Sequence, residues 1–236
     1  MSIVEEKHDI HIDVPTFNVD NVLHEQIPNP LPRTSFSMAM IAPPGSGKTS
    51  LLTSFITQSH PPIYKGVFDR VFLLQPQASF SSMENNPFKG HPRVYHEMDI
   101  EILNEIQTEI DNTRKSGKNS LVIIDDFMAE LKNKELQQIF VRWIANRRHQ
   151  KMSIIFLTQT FRSIPLNLRK NIGNWIFFKP SNKREIESIG DEIGLSKHDF
   201  EKYYNYVFPA GSERHQFMYI DANTNVYKRF AKLSMK

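Results

Sequence analysis

The chain has 236 residues, 39% of them hydrophobic, which is enough for one sizeable core with an appendage. It has no Cys, so disulfide and thiolate chemistry are excluded, and its formal charge of +3 is compatible with a polyanionic partner without specifying one. No stretch approaches the ~18 apolar residues of a membrane span, and the acids Glu5, Glu6 and Asp9 stand where a signal peptide would be basic and then apolar, so no targeting segment is expected and a cytosol-like compartment is.

Residues 1–34 read as an irregular or partly extended arm, because Pro15, Pro28, Pro30 and Pro32 oppose a helix. Residues 35–236 read as one domain. A strand over 35–41 leads into "APPGSGKT" at 42–49, and a helix follows with Leu51, Leu52, Phe55 and Ile56 on one face. A second strand is expected over 67–74 and a long loop over 76–92. A helix opens after Asp99, a plausible N-cap. "SLVIIDD" is an apolar strand ending in two acids. The helix near 133–148 places Leu136, Ile139, Phe140, Trp143 and Ile144 on one face. "SIIFLTQ" and "NWIFFK" are further buried-type strands, helices are expected near 182–193 and 196–206, and the tail reads as two strands around an Asn-Thr-Asn turn. Apolar strands alternating with amphipathic helices predict an α/β fold, a mainly parallel sheet with helices on both faces, closed by a C-terminal hairpin. The strand order is not specified.

The Pro- and Gly-rich burst between strand and helix fits a phosphate-binding loop, with Ala42 in place of the first Gly. Such a loop aims backbone N–H groups and a helix N-terminus at one spot, where they favour an anion. Pro44, Gly45, Ser46, Gly47, Lys48, Thr49 and Ser50 are therefore the expected nucleotide-binding residues. Lys48 suits the β- and γ-phosphates and the Thr49 hydroxyl suits Mg²⁺.

Two acids at the end of a buried strand carry a desolvation cost unless they hold a metal or serve a site. Asp125 is assigned to Mg²⁺ through its water shell, and Asp126 to polarising the attacking water. Thr158 and Gln159 end the next apolar strand, where open α/β sheets bind ligands. Gln159 can donate to the γ-phosphate and accept from water. A GTPase would show Asp-x-x-Gly after its metal acid, but here Phe127, Met128 and Ala129 follow. An ATP-hydrolysing enzyme ranks first.

The "APPGSGKT" loop, "VFLLQP", "LVIIDD", "NRRHQKMSIIFLTQ" and "IPLNLRKN" together resemble the viral genome-packaging ATPases of the FtsK/HerA superfamily, the kind encoded by poxviruses and other large DNA viruses. The likeness spans about 35–180. One departure is that many members carry Asp-Glu where this chain has Asp125-Asp126. The resemblance implies a RecA-like P-loop core and a homo-oligomeric ring, pentamer or hexamer, with ATP between neighbours. It also implies double-stranded DNA driven into a preformed capsid, capsid or virion vertex proteins as partners, and work at a viral assembly site in the host cytoplasm or in the virion. It further implies an arginine reaching a neighbour's site from between the acids and the Gln strand: Arg148 first, Arg147 second. Arg169 is another candidate for phosphate or subunit contact. Arg142, Arg147, Arg148, His149, Lys151, Arg162, Arg169 and Lys170 make the centre of the chain basic, which suits phosphate contacts without base reading. A HerA-like cellular translocase or helicase and a nucleotide-dependent assembly scaffold remain the alternatives.

Overall fold

The computed structural model describes residues 23–180 and 183–235. The first 22 residues of the expected arm lie outside the described residues.

Among the described residues nine strands form one sheet: β1 (Ser37–Ile41), β2 (Arg70–Leu74), β3 (Val94–Tyr95), β4 (Ser120–Asp125), β5 (Met152–Thr158), β6 (Asn174–Phe178), β7 (Phe217–Ile220), β8 (Val226–Lys228) and β9 (Ala231–Lys232). Their order is β3-β2-β4-β5-β1-β6-β7-β8-β9. The strands from β3 to β6 pair in parallel, and β7, β8 and β9 add on as an antiparallel edge. The β7–β8 turn carries the expected Asn-Thr-Asn, with the Asp221 carboxylate accepting from the N–H groups of Asn223 and Asn225.

Alternate strand residues divide two cores, as a sheet buried on both faces requires. On one face Ala39, Phe72, Val122, Ile154 and Phe177 pack under α3 (Ile100–Lys115), α4 (Lys134–Asn146), α6 (Lys183–Glu192) and α7 (Lys197–Val207). On the other, Met38, Met40, Ile123, Ile155 and Ile176 meet Leu52 and Phe55 of α1 (Lys48–Thr57). Ile27 and Leu31 join that second core. The described part of the arm is therefore irregular, as the prolines require, but packed down: Tyr64 Oη donates 3.0 Å to the Pro32 carbonyl and Arg33 Nε 2.9 Å to that of Ile27.

The sequence-based elements differ from the structure in five places. β2 starts at Arg70, not 67, and β3 is too short to leave a pattern. The 76–92 loop contains a short helix, α2 (Gln77–Ser81), and another, α5 (Leu166–Arg169), precedes β6. The expected 133–148 helix stops at Asn146, with Arg147 as its C-cap.

Register aligns the strand ends. Asp125 pairs with Leu157, and Ile41 pairs with both Thr158 and Phe177. The carboxyl ends of β4, β5, β1 and β6 thus share one edge, with β5 between the strand that ends in acids and the strand that leads into the glycine loop.

Candidate active site

α3, α4 and α7 are each closed at the N-terminus by a side chain, Asp99, Asn133 and Ser196, which accept from the second or third following N–H. α1 has no such cap. Its N-cap is Gly47, at φ 98°, with no side-chain hydrogen bond. The orphan N–H groups of this helix end are left for an anion. The loop is fixed from below by the Ala42 N–H, which donates 3.0 Å to the Thr158 carbonyl. Gly45, at φ 72°, also adopts a conformation that a side chain disfavours. This is why the chain places helix-averse residues directly before a helix.

Lys48 spans the edge. Its Nζ lies 3.2 Å from Asp125 Oδ1 and donates 3.3 Å to Asp126 Oδ1. The two acids differ sharply. Asp125 is 2% exposed. Burial pushes its carboxyl above the usual range; the Lys48 charge opposes this, Asp126 adds to it, and the close Lys48 contact and the hydrogen bond from Gln75 oppose it. The side chain of Asp126 is 30% exposed. Its backbone is left-handed at φ 60°, a region that Asp tolerates, which swings it from the strand into the cleft.

Sequence reasoning missed Gln75. It directly follows β2, as Asp125 closes β4, is buried, and donates 2.8 Å from Nε2 to Asp125 Oδ2. The His96 ring donates from Nδ1 to the Gln75 carbonyl at 2.9 Å. The signal was present in "VFLLQP": a polar residue closing an apolar strand, the same cue that singled out Gln159.

Two concavities meet here. A cavity of about 300 Å³ is lined by Thr49, Gln75, Asn86, Asp125 and Asp126, with Ser79 and Ser82 from the 76–92 segment. A groove of about 390 Å³ runs over the glycine loop and takes in Lys48, Thr49, Asp126, Gln159 and His215. All the predicted cradle residues from Pro44 to Ser50 line that groove. Gln159 is exposed at the end of β5. Thr158 is buried, and its hydroxyl is engaged by Ser163.

A divalent cation fits the donor set. Asp125 Oδ1 is buried with the Lys48 ammonium in ion-pair contact but without a hydrogen bond, and Thr49, which carries a hydroxyl, lines the same cavity as Asp125. Two protein oxygens with room for water suit Mg²⁺, which keeps several waters. No cluster of three or more His, Cys, Asp or Glu that could hold a metal occurs among the described residues.

The predicted arginines lie elsewhere. Arg147 caps α4 and donates 2.8 Å from Nη1 to the Ile144 carbonyl, while Arg148 is exposed just beyond it. Both precede β5, whose far end carries Gln159, so the seven residues of β5 separate them from their own chain's cradle. At ~3.3 Å per residue that is about 20 Å. Arg169 is committed within its own chain, in a two-pronged ion pair with Glu192 at 2.6 and 2.9 Å, with its guanidinium 4.8 Å from the Phe161 ring.

The sequence profile of the family described as Poxvirus A32 protein matches residues 26–227. No curated protein sequence matches significantly. Among solved structures, the genome packaging NTPase B204 from Sulfolobus turreted icosahedral virus 2, in complex with ATP-gammaS, superposes with a TM-score of 0.59 at 13% identity, over 82% of this chain and 95% of that one. B204, described as the DNA-packaging ATPase from Sulfolobus Turreted Icosahedral Virus, gives 0.55 at 18% identity, over 81% and 95%. The cytoplasmic domain of the Type VII secretion ATPase EccC from Thermomonospora curvata gives 0.55 at 15% identity, over 85% of this chain but 26% of that one. These likenesses establish a P-loop NTPase fold.

Proposed function

The chain belongs to the Poxvirus A32 protein family, and on that premise we propose that it is an ATP-hydrolysing motor that moves double-stranded viral DNA into a preformed capsid. The observation that carries the chemistry is Lys48 held within 3.3 Å of both Asp125 and Asp126, at an uncapped helix end and in a groove shared with Gln159.

The residues divide the work. N–H groups of the glycine loop and of the start of α1 take the β- and γ-phosphates, and Lys48 turns from the carboxylates to the phosphates. Thr49 and Asp125 would hold Mg²⁺, which neutralises charge on the phosphate oxygens when bound. Asp126, the more exposed acid, takes the proton of the attacking water, and Gln159 orients that water. The water oxygen bonds to the γ-phosphorus, the bond to the β–γ bridging oxygen breaks, and ADP leaves with the electron pair. Arg148, or Arg147, serves the neighbouring subunit; its distance from its own cradle favours action in trans.

Packaging is favoured over a HerA-like translocase or a nucleotide-dependent scaffold by the family and by the superposition on a packaging NTPase over 82% of this chain and 95% of that one. The reading includes a homo-oligomeric ring, backbone contacts to duplex DNA, docking on capsid or vertex proteins, and work at the viral assembly site or in the virion. Among the described residues no helix is long and apolar enough to cross a membrane.

The test is ATP hydrolysis with and without duplex DNA, together with the mass of the assembly. A ring whose hydrolysis is stimulated by DNA of any sequence, with stimulation falling steeply as salt rises through counterion release, supports the motor. DNA-independent turnover by a ring points to the scaffold, and strong sequence selectivity points to another kind of DNA protein.

A further inference from the structure

The segment 209–216, "PAGSERHQ", lies more than 150 residues from the glycine loop in sequence and touches it in space. It is folded on itself and tied down. The Ser212 N–H donates 3.0 Å to the Pro209 carbonyl, the Gln216 N–H 3.1 Å to that of Glu213, and Arg229 Nη2 2.5 Å to the Glu213 carboxylate. Arg214 and His215, both exposed, are its residues that touch the glycine loop. His215 donates from Nδ1 to the Ser46 carbonyl at 2.9 Å. Arg214 lies against Gly45 so closely that a Cβ there would collide with its Nη2, and a Cβ on Gly47 would come within 2.8 Å of the His215 ring.

Among the described residues no carboxylate or carbonyl pairs with the Arg214 guanidinium. Lys48, by contrast, is neutralised by two acids. An uncompensated cation beside an uncapped helix end favours an anion bound nearby.

His215 also marks a boundary. On one side it lines the phosphate groove. On the other it walls a smaller groove of about 250 Å³, continuous through Gly47 and Ser50, with Leu51, Phe178 and Phe217 as an apolar floor and Ser54 at its side. The acids are absent from this groove and line the other cavity, with Thr49, Leu52 and Thr53 of α1.

Resting on the ATPase reading, we propose a fixed pose for the nucleotide and a phosphate ligand that the glycine-loop motif does not contain. The terminal phosphate points toward Asp125 and Asp126, and the purine base lies in the groove between α1 and Phe178 and Phe217. Arg214 binds the phosphate chain in cis, and His215 separates the phosphate half from the nucleoside half.

The test compares the affinity of the full chain for Mg·ATP and for magnesium tripolyphosphate, which has phosphates and no base, by titration calorimetry. Arg214→Ala weakens both by about 10–100-fold, the worth of a charge-assisted hydrogen bond, and Arg214→Lys recovers part of the loss. Ser54→Phe, which fills the base groove, weakens ATP only; Ser54→Leu is the smaller plug should the Phe variant melt early. Affinities within twofold of wild type for Arg214→Ala, or an unchanged ATP affinity in both folded Ser54 variants, overturn the pose. A folded wild-type chain that binds neither ligand overturns the nucleotide cradle itself and the pose with it, an outcome distinct from failure of the variants alone.

Discussion

Gln75 Nε2 donates 2.8 Å to Asp125 Oδ2, and this is the hydrogen bond that aims the buried carboxylate. Oδ1 then faces Lys48 and the cavity shared with Thr49. Removing the amide leaves a buried acceptor unpaired and free to turn. Partners that orient a metal ligand typically contribute 10–100-fold in metal affinity. In Gln75→Leu the Mg²⁺ concentration for half-maximal ATP hydrolysis should rise by about that factor, with the rate at saturating Mg²⁺ within a few-fold of wild type. A Mg²⁺ titration checks it; an unchanged midpoint with a lowered plateau would place Gln75 outside metal binding.

Asp125 also makes a stability prediction. Its carboxyl titrates above the ordinary value because burial disfavours the charge. A raised pKa in the folded state means that the proton is held more tightly folded than unfolded. The group's contribution is therefore fully present below the unfolded value of ~3.9 and is lost as pH rises through the raised one. At pH 7.5, without metal or nucleotide, the ionised group destabilises the fold. Asp125→Asn should then melt higher than wild type, with each ~1 kcal/mol appearing as about 2–4 °C. The gap should close toward pH 4. A variant that melts lower at pH 7.5 would mean that the Lys48 pairing outweighs desolvation.

The division between the acids is tested by Asp126→Asn. Asp126 is the more exposed, and its left-handed backbone turns it into the cleft. Asn is nearly isosteric but a poor proton acceptor. Hydrolysis should fall by about 10²–10⁴-fold while Mg·ATP still binds. Single-turnover cleavage beside an equilibrium binding curve separates the two. Collapse of affinity with normal cleavage would reverse the roles of Asp125 and Asp126.

Much of this site was legible in sequence for local reasons. The cradle is a contiguous segment whose Gly and Pro have no structural use between an apolar strand and an apolar helix unless a ligand needs them. Asp125, Asp126 and Gln159 stand out because polar residues end strands that are otherwise wholly apolar. Gln75 obeys the same rule, but followed by Pro76 it is indistinguishable from the start of a turn. Arg214 and His215 were illegible, because their contact with Gly45, Ser46 and Gly47 exists only once β6 and β7 pair. The packing of Ile27 and Leu31 was hidden likewise: prolines exclude a helix but do not say what covers the second core. β3 has two residues, too few for any periodicity.

The last prediction concerns whose arginine serves whose cradle. Arg147 and Arg148 stand at the start of β5 and the cradle beyond its end, so within one chain they are a strand length apart. A head-to-tail ring can bring one subunit's α4 terminus to its neighbour's groove. Lys48→Ala removes a subunit's own cradle charge and leaves its Arg148 intact; Arg148→Ala does the reverse. Alone, each should be nearly inactive, since arginines supplied in trans contribute about 10³–10⁵-fold. In rings formed from equal amounts of the two, about a quarter of interfaces join an intact cradle to an intact arginine. Hydrolysis should therefore return on mixing, with a tagged pull-down showing that the subunits exchange. Arg214→Ala supplies the contrast. Arg214 touches the same chain's Gly45, so mixing it with Lys48→Ala repairs no interface and should give no more than the mean of the two separate activities. Recovery with Arg147→Ala in place of Arg148→Ala would move the trans role to Arg147. Mixed rings that stay at the single-variant floor for both would refute arginine sharing from this segment.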